Sequence, residues 1–551
     1  MRNSIVILFF SLLLFVEQAL YAQYAPAIEW QKNIGGTHND WLYSIKQTTD
    51  GGYICGGWAI SDFSGDKTEN SLGGSDMWIL KLDSSGSIVW QNTIGGTSLD
   101  DLYVLAQTYD GGYILGGSSF SDSTGDKTEN NMSGIGGGYF DYWIVKVDSL
   151  GITQWQNTIG GTHDDELRTL KQTLDGGYIC GGYSKSHISG DKTSEIADSD
   201  FWILKLDSSG NITWQRTIGG YSYDGCNSIS QTKDGGYFCA GLSNSSIGAD
   251  KSEGNFGDTD LWVVKLDSTG TIQWDKTYGG NDMEFLFYDE GAIQTNDGGY
   301  ILGSASQSNI SGNKTENSFG DWDYWILKLD STGTIQWQRT LGGSAADLLW
   351  SINQGADGGY YCGGNSRSGI SGNKTENNRG ESDYWILKLD ATSNIQWQKT
   401  LGGSELDNLN YISQTRDFGF ICGGRSESDY SGDKTSNNWD PSFSNTNDFW
   451  IIKLYPDSTV GVSEHPTDMN FHLAPQPLVE SSILTFTNAN KNEIRCTLFD
   501  ITGREIEIIY SFGNEITIER GTKNPGIYFY SLENMKSLTN ISGKIIVAGI
   551  Q

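Results

Sequence analysis

The chain has 551 residues, with 68 Asp and Glu against 36 Lys and Arg, and its formal net charge is −32. A surface this acidic repels nucleic acid and anionic lipid, so we exclude both as partners and expect a cation, a basic partner or a neutral polar ligand, unless the charge serves solubility alone. Aromatic residues make up 12% and Gly numbers 72, while hydrophobic residues are only 36%. This balance predicts an all-β protein long enough for a repeat array and a smaller domain.

The first residues predict a secretory signal peptide over 1–22. An apolar run that follows Arg2 is too short to span a bilayer, and small residues lead to Ala22. We place cleavage between Ala22 and Gln23. No other run is long and apolar enough for a transmembrane helix, so the sequence predicts an exported protein, secreted or held at the cell surface.

One phrase, Asp-Gly-Gly followed by an aromatic strand, recurs along the chain. It begins at Asp50, Asp110, Asp175, Asp234, Asp297 and Asp357, and a degenerate copy, Asp-Phe-Gly, begins at Asp417. Two Trp positions recur with it at a spacing of 59 to 65 residues. The first is Trp30, Trp90, Trp155, Trp214, Trp274, Trp337 and Trp397, and the second is Trp78, Trp143, Trp202, Trp262, Trp325, Trp385 and Trp450. A period of this size is typical of a propeller, a solenoid or an array.

Each repeat contains four segments that resemble strands. In the first copy they read WLYSIKQT, GYICGGW, MWILKLD and SIVWQNT, with a tight Asp-Gly-Gly turn between the first two. The third is almost wholly apolar, as expected of a strand covered on both faces. Gln47 and Lys81 recur in every copy, and we interpret them as polar ties within and between repeats. Four short antiparallel strands per repeat predict a propeller blade.

The ends of the array indicate how it is arranged. The segment Ile28–Asn33 lacks the strand that precedes its equivalents, and the last copy, at Phe449, lacks the strand that should follow. If the array closes into a ring, the N-terminal strand can pair with the last strand of the final copy, and no sheet edge stays exposed. The sequence therefore predicts a closed seven-bladed β-propeller over 23–457, with Ile28–Asn33 as the outer strand of the last blade. A linear β-solenoid is the alternative.

The repeat pattern stops after Tyr455. Residues 458–470 have the composition of a linker, and alternating strands with turn residues between them fill 471–551. This pattern predicts a small Ig-like antiparallel β-sandwich.

Four segments at the C-terminus carry a family resemblance. LAPQPLVESSILTFT, LFDITGREI, NPGIYFYSL and GKIIV, in this order, resemble the type A C-terminal sorting domain of the type IX secretion system in Bacteroidota, except that Pro475-Gln476-Pro477 replaces the usual Pro-Asn-Pro. The resemblance implies that the secretion machinery is a partner and that the domain directs export. Its landmarks fall on Gly503, Arg504, Gly526, Tyr528, Gly543 and Lys544. The repeats likewise resemble secreted Bacteroidota propeller proteins with Asp-Gly-Gly-Tyr repeats.

An acidic residue recurs before the first strand of each repeat. The seven are Asp40, Asp100, Asp165, Asp224, Glu284, Asp347 and Asp407. In a closed ring they would circle one mouth of the channel, where carboxylates could bind a cation or sugar hydroxyls. The alternative is a loop carboxylate that accepts backbone N–H bonds, and its recurrence in every repeat favours that alternative.

The long loops between the second and third strands supply the other candidates. We expect them on the same side of the disc as the IGGT turns, where binding residues usually lie. Asp62 and Asp66, and Asp122 and Asp126, space oxygen ligands as calcium loops do, although Gly and Glu do not fall where an EF-hand needs them. Calcium is therefore a possible ligand, and no other cofactor is expected. Trp58, Trp322 and Trp439 lie in or near these loops and could stack on sugar rings, or pack beneath the loops.

No catalytic constellation is visible. The chain has only five His, and none shows metal-ligand or triad spacing. We therefore expect a monomeric binding or adhesion protein whose loop side engages glycan or protein, rather than an enzyme. A polysaccharide-active lyase or glycosidase on a propeller scaffold is one alternative. It predicts a cluster of acidic and His or Tyr residues in one pocket that breaks the repeat symmetry, and the sequence shows none. A structural surface component without a specific ligand is the other.

Overall fold

The computed structural model describes residues 25–134, 138–287, 289–439, 446–457, 471–474, 478, 480–486, 491, 493–499, 505–524, 526–534 and 540–547. The chain divides into two compact units, Met1–Tyr455 and Pro456–Gln551. Within the described ranges the regular elements are all β-strands, which confirms the all-β prediction. Those ranges contain no helix of the length and apolar character needed to cross a membrane.

The described residues of the first unit form seven antiparallel sheets, which we number in chain order. Sheet 1 has β2 (Asp40–Gln47), β3 (Tyr53–Ala59), β4 (Asp76–Leu82) and β5 (Ile88–Ile94); sheet 2 has β6 (Asp100–Gln107), β7 (Tyr113–Ser119), β8 (Asp141–Val147) and β9 (Thr153–Ile159); sheet 3 has β10 (Asp165–Gln172), β11 (Tyr178–Ser184), β12 (Asp200–Leu206) and β13 (Ile212–Ile218); and sheet 4 has β14 (Asp224–Gln231), β15 (Tyr237–Ser243), β16 (Asp260–Leu266) and β17 (Ile272–Tyr278).

Sheet 5 departs from the pattern because its first strand is broken in two. It has β18 (Glu284–Phe285), β19 (Ala292–Gln294), β20 (Tyr300–Ser306), β21 (Asp323–Leu329) and β22 (Ile335–Leu341). Sheet 6 has β23 (Asp347–Gln354), β24 (Tyr360–Ser366), β25 (Asp383–Leu389) and β26 (Ile395–Leu401), and sheet 7 has β27 (Asp407–Gln414), β28 (Phe420–Ser426), β29 (Asp448–Leu454) and, from the start of the chain, β1 (Ile28–Ile34).

The burial of the strands follows their sequence patterns. β4 is buried along its whole length, whereas alternate residues of β2 are only half-buried. Trp78 has no exposed surface, and its indole N–H donates to Gln91 Oε1 at 3.0 Å. All seven Cys side chains are buried free thiols, five of them at one repeat position. The core therefore lies within and between the sheets.

The strand register places all the long loops at one edge of the sheets. Asp40 pairs with Ala59, and Ala59 pairs with Asp76, so β2 begins, β3 ends and β4 begins at the same edge. The equivalent residues pair in the same way in the other sheets, as in Asp347↔Ser366↔Asp383. We call this edge the loop face.

Two polar contacts at the opposite edge repeat in all seven sheets. The Lys of the third strand reaches back to the Asp of the Asp-Gly-Gly turn, where Gly51 adopts a φ of 88°. The pairs are Lys81–Asp50, Lys146–Asp110, Lys205–Asp175, Lys265–Asp234, Lys328–Asp297, Lys388–Asp357 and Lys453–Asp417. The Gln that ends each first strand accepts a backbone N–H from the turn of the preceding sheet, as Gln107 does from Thr49 at 2.7 Å. The interpretation of these residues as polar ties is confirmed.

Sheet 7 combines the two ends of the first unit. β1 pairs antiparallel with β29, from Ile28↔Leu454 to Ile34↔Phe449. β2 of sheet 1 packs against β27, β28 and β29, just as β6 of sheet 2 packs against β2, β3 and β4. Neither end strand is therefore left without a partner, in contrast to the linear alternative.

The second unit has two antiparallel sheets around one core. One contains β30 (Phe471–Ala474), β31 (Ser481–Phe486) and β34 (Glu515–Glu519), and the other contains β32 (Ile494–Phe499), β33 (Glu505–Ser511), β35 (Gly526–Asn534) and β36 (Asn540–Val547). Leu484 and Ile516 from the first sheet share a cluster with Cys496 and Tyr530 from the second. Two sheets that enclose one apolar cluster form a small sandwich.

Candidate functional site

One position of the first strands carries a different residue in every repeat. The residue after each recurring acid is Trp41, Asp101, Glu166, Gly225, Phe285, Leu348 or Asn408. All of these except Gly225 are half-buried rather than buried. Because the surrounding framework repeats, variation concentrated here marks the part of the loop face that is free to specialise.

The break in sheet 5 sends a short segment across to other sheets. Ten positions separate Glu284 from Gln294, against seven between Asp40 and Gln47, so this copy is longer. We call the described residues between the two halves of the broken strand, 286, 287 and 289–291, the insert. Its backbone accepts hydrogen bonds from Asn227 Nδ2 and Ser228 Oγ of β14, each at 2.6 Å, and from the N–H of Ile352 of β23 at 3.0 Å.

Two buried acids fasten the insert to sheets 1 and 3. Lys171 of β10 lies 2.6 Å from Asp289 Oδ2 and 2.7 Å from Glu290 Oε1, and Lys46 of β2 also pairs with Glu290. Burial alone would raise the pKa of Glu290, but the two ammonium groups outweigh it and hold that pKa below its usual value. The contacts bring residues of sheets 1, 3 and 5 together at one point, so the insert lies across the space between their first strands.

Next to the insert is a cavity of about 520 Å³, which we call the central cavity. It opens among the first and second strands of sheets 5, 6 and 7. Its described lining residues are Phe285, Phe287, Asp321, Trp322, Ala346, Leu348, Trp350, Asn365, Arg367, Ser382, Asn408 and Arg425. The rings of Phe287 and Trp350 stack with centroids 4.0 Å apart. The volume lies in the usual range for a small-ligand site, roughly 300–1,000 Å³.

The structure separates the three Trp candidates. Trp322 lines the central cavity. Trp58 stacks on Trp41 with ring centroids 4.7 Å apart, and the Arg425 guanidinium carbon lies 3.3 Å from the Trp41 ring centroid. Trp439 is 47% exposed and donates its indole N–H to Asp66 Oδ2 at 2.7 Å, so it bridges neighbouring loops and is not among the cavity's described lining residues.

The seven recurring acids are fully buried and are absent from the described lining of the central cavity. Asp100 is typical, because it accepts the backbone N–H of Gly96 at 2.6 Å and hydroxyls from Ser119 and Ser121. Burial raises the pKa of Asp100, and these donors oppose the shift. The geometry is that of the structural alternative, a carboxylate that satisfies loop N–H groups. A cation-binding role for these residues stays a prediction.

The four calcium candidates lie in loops at the edge of sheets 1 and 2. Gly35 and Gly95 donate their backbone N–H to Asp66 and Asp126, at 3.4 and 3.3 Å. Asp122 lines a separate polar cavity of about 380 Å³. The backbone carbonyl of Asp62 accepts a hydrogen bond from Ser64 Oγ at 2.9 Å. In the described ranges no three His, Cys, Asp or Glu side chains converge as a metal site. Calcium therefore stays a prediction.

A polar cluster on sheets 2 and 3 breaks the repeat symmetry. Glu166 accepts hydrogen bonds from Tyr183 Oη and from Arg168 at 2.5 Å. Asp101 accepts Ser75 Oγ at 2.6 Å, and burial raises its pKa, with further contributions from Asp100 and then Glu166. Burial and the Glu166 carboxylate also raise the pKa of Tyr183, so this phenol acts as a donor rather than as a base. The sequence analysis did not find this cluster.

Among the sorting-domain landmarks, Gly526 begins β35 with a φ of 154°, and Tyr528 donates to the Asn524 carbonyl at 3.0 Å. Gly543 and Lys544 pair through β36 with Tyr530 and Phe529. Gly503 and Arg504, and the cleavage position at Ala22 and Gln23, lie outside the described residues.

The sequence does not reveal the central cavity because its lining residues are far apart in the chain. Two features of the aligned repeats point to the cavity. The residue after each recurring acid varies, and the fifth repeat has extra residues between Glu284 and Gln294. A repeat with those extra residues cannot form an unbroken first strand.

Comparison with known proteins adds little about function. No protein-family model matches the chain. A stretch of 140 residues is 26% identical to Regulatory protein FlaEY of Caulobacter vibrioides, and this covers 25% of our chain. The chain spans only 15% of the length of FlaEY, so nothing about the whole of that protein transfers.

Two solved structures are similar over much of the chain. PorZ, a bacterial surface component of the type-IX secretion system of Porphyromonas gingivalis, is 10% identical with a TM-score of 0.25, over 95% of our chain and 75% of PorZ. A glycoside hydrolase of family 32 from Bifidobacterium adolescentis is 8% identical with a TM-score of 0.25, over 95% and 96% of the two chains. Scores this low support no argument about fold or function.

Proposed function

We propose that this chain is a secreted or cell-surface binding and adhesion protein that engages a glycan or a protein at the central cavity of its loop face. The observation that carries the proposal is the cavity of about 520 Å³ whose lining includes Trp322, Trp350 and Phe287. Aromatic faces and amide groups in a concave site are typical of small-ligand and sugar recognition. The framework around the cavity repeats, whereas the residues that line it do not.

The proposal includes a closed seven-bladed propeller. It is supported by the pairing of β1 with β29 and by the packing of sheet 7 on sheet 1. Closure would bring the seven first strands around one axis, with the insert across the channel. The ligand would then meet a pocket with one mouth rather than an open tunnel.

The proposal also includes export through type IX secretion. It rests on the resemblance of the C-terminal segments to the type A sorting domain, and residues 456–551 form a compact unit of their own. Deleting that unit should leave the propeller-like unit trapped inside cells that carry the secretion system. Equal export of the truncated and full chains would contradict this part.

The central test is a glycan array probed with the full chain, followed by chromatography of any bound saccharide. We expect specific binding that is lost in Trp322→Ala and retained in Trp439→Ala, since only the first residue lines the cavity. If the chain binds no glycan on the array and no purified surface protein, and does not support cell adhesion, the structural surface component is favoured instead.

A polysaccharide-active enzyme is the second candidate, and the Asp101–Glu166 cluster favours it. Burial raises the pKa of Asp101, which is the property that glycosidases require of a general acid, and Glu166 is a second acidic residue in the same cluster. Chromatography decides between the candidates, because an enzyme would release products that Asp101→Asn abolishes while binding persists. Binding without products in the wild-type chain would exclude this candidate for the saccharides tested.

A further inference from the structure

The charge inside the central cavity is opposite to that of the chain. The formal net charge is −32, yet the twelve described lining residues include two Arg, Arg367 and Arg425, and a single acid, Asp321. Asp321 already accepts Gln307 Nε2 at 3.1 Å. Two Arg and one Asp give the lining a formal charge of +1, so the cavity can hold one anionic group although the chain as a whole repels anions.

Arg367 is placed to receive such a group. Arg367 is exposed, its backbone N–H donates to the Ala346 carbonyl at 2.9 Å, and no ion pair to its side chain occurs within the described residues. Asn365 is almost wholly buried beside it, and its Oδ1 atom has no hydrogen-bond partner among those residues. A guanidinium presents two parallel N–H donors, which match the two oxygens of a carboxylate.

The rest of the wall favours a sugar as the bearer of that carboxylate. Phe285 and Phe287 have centroids 4.7 Å apart, and Phe287 stacks on Trp350 to form a continuous aromatic surface. Trp322 adds a further indole. Aromatic planes bind the apolar faces of pyranose rings, while the amides of Asn365 and Asn408 suit hydroxyl groups.

We infer that the central cavity binds a carboxylate-bearing saccharide, with Arg367 on the uronate group and Trp322 and Trp350 against the sugar rings. The inference rests on the proposed binding function and narrows it to acidic glycans. A glutamate-rich peptide is the competing anion, and the experiment below includes it.

The test uses calorimetry on the full chain with three uronate oligomers, namely oligogalacturonate, oligomannuronate and a hyaluronan fragment. Their methyl esters keep the sugar and remove the charge. We expect at least one acid to bind at least about tenfold more tightly than its ester, about 1.4 kcal/mol. Arg367→Gln should abolish that preference, and Trp322→Ala should weaken acid and ester alike. Arg416→Gln, which removes an equal charge at the opposite edge, is the matched control. Melting curves of each variant verify folding.

Each other outcome has a definite meaning. Equal binding of acid and ester, or an acid preference that survives Arg367→Gln, overturns the carboxylate assignment and leaves glycan binding intact. Binding of neutral glycans alone also overturns the carboxylate assignment and leaves glycan binding intact. Binding of a polyglutamate peptide through Arg367, with no saccharide bound, also overturns it. Failure of every saccharide, neutral or charged, counts instead against the proposed function itself.

Discussion

The backbone N–H of Arg416 donates to Gln47 Oε1 at 2.8 Å, although 369 positions separate the two residues. Arg416 lies in the turn of sheet 7, and Gln47 ends the first strand of sheet 1. Six other pairs make the same contact between consecutive sheets, among them Thr49–Gln107 and Tyr109–Gln172. The bond from sheet 7 to sheet 1 is thus equivalent to those between sequence neighbours.

Gln47 offers a direct test of the proposed closed ring. Gln47→Leu removes the acceptor at the junction of sheets 7 and 1, and Gln172→Leu removes it between sheets 2 and 3. If the ring is closed, both changes should lower the free energy of unfolding by a similar amount, about 1 kcal/mol. Urea unfolding measures both. An open array would make Gln47→Leu less costly than Gln172→Leu, because only the bond from Gln47 Nε2 to the Gly51 carbonyl within sheet 1 would be lost.

Asp40 lacks the cross-strand Ser neighbour that its six equivalents have. Ser119 and Ser306 donate to Asp100 and Glu284 at 2.5 and 2.7 Å, but the corresponding position in sheet 1 is Ala59. Asp40 Oδ1 has no partner among the described residues, and burial raises the pKa of this carboxyl to about 7. Ala59→Ser should therefore stabilise the chain by about 1 kcal/mol. The mirror change, Ser119→Ala, should destabilise it by about 1–3 kcal/mol, and a destabilising Ala59→Ser would contradict the argument.

Glu290 should be far more important for stability than an exposed acid. Glu290→Gln leaves the half-buried Lys46 and Lys171 with less compensating charge, so we expect a loss of about 3 kcal/mol in chemical unfolding. Glu253→Gln is the matched control. Glu253 pairs with Lys276 at 2.7 Å, but both side chains are 38% exposed, so the loss should stay below about 1 kcal/mol. Equal losses would show that the insert is not fastened by its charges.

Phe418 occupies a position built for glycine. It replaces the first Gly of the turn and has a φ of 65°, whereas Gly51 and Gly111 have φ values of 88° and 85°. Positive φ costs a bulky residue of the order of 1–3 kcal/mol, so Phe418→Gly should raise the melting temperature. Gly51→Ala should lower it. No atom lies within 4 Å of the added Cβ at Gly51, so the loss there reports backbone strain alone.

Buried carboxyls should make the chain more stable in mild acid than at neutral pH. Burial raises the pKa of Asp76, Asp383 and Asp448 to about 6 and that of Asp141 and Asp200 to about 7. Between pH 4 and 7 the folded state therefore binds protons that the unfolded state has released, and the free energy of unfolding falls as pH rises through this window. Calorimetry should show a melting temperature that drops from pH 5 to pH 7.5.

Two features limit and test this pH dependence. The turn acids such as Asp50 have pKa values lowered to about 2, so their stabilisation is lost only as pH falls below about 4. Asp76→Asn removes one buried titrating group and should make the melting temperature depend less steeply on pH between 5 and 7.5. Repulsion among surface charges would not explain such a change. A melting temperature that rises over that interval would contradict the prediction.

The sequence by itself determined the strands, the turns and the edge at which the loops lie. The alternation within WLYSIKQT, the apolar third strand and the Asp-Gly-Gly turn are local features, and local patterns fix local pairing. Repetition then supplied the number of sheets. The pairing of β1 with β29 could be anticipated for the same reason, because each end strand lacked a partner.

Only the tertiary structure decided where the candidate site lies. Lys46 and Lys171 reach Glu290 from 244 and 119 positions away, and the central cavity takes its wall from three sheets. The recurring acids, prominent in the sequence, are buried, while Arg367 and Trp350 carry no local signal. A site assembled from side chains of separate sheets depends on how the sheets pack, and that packing is not encoded in any one repeat.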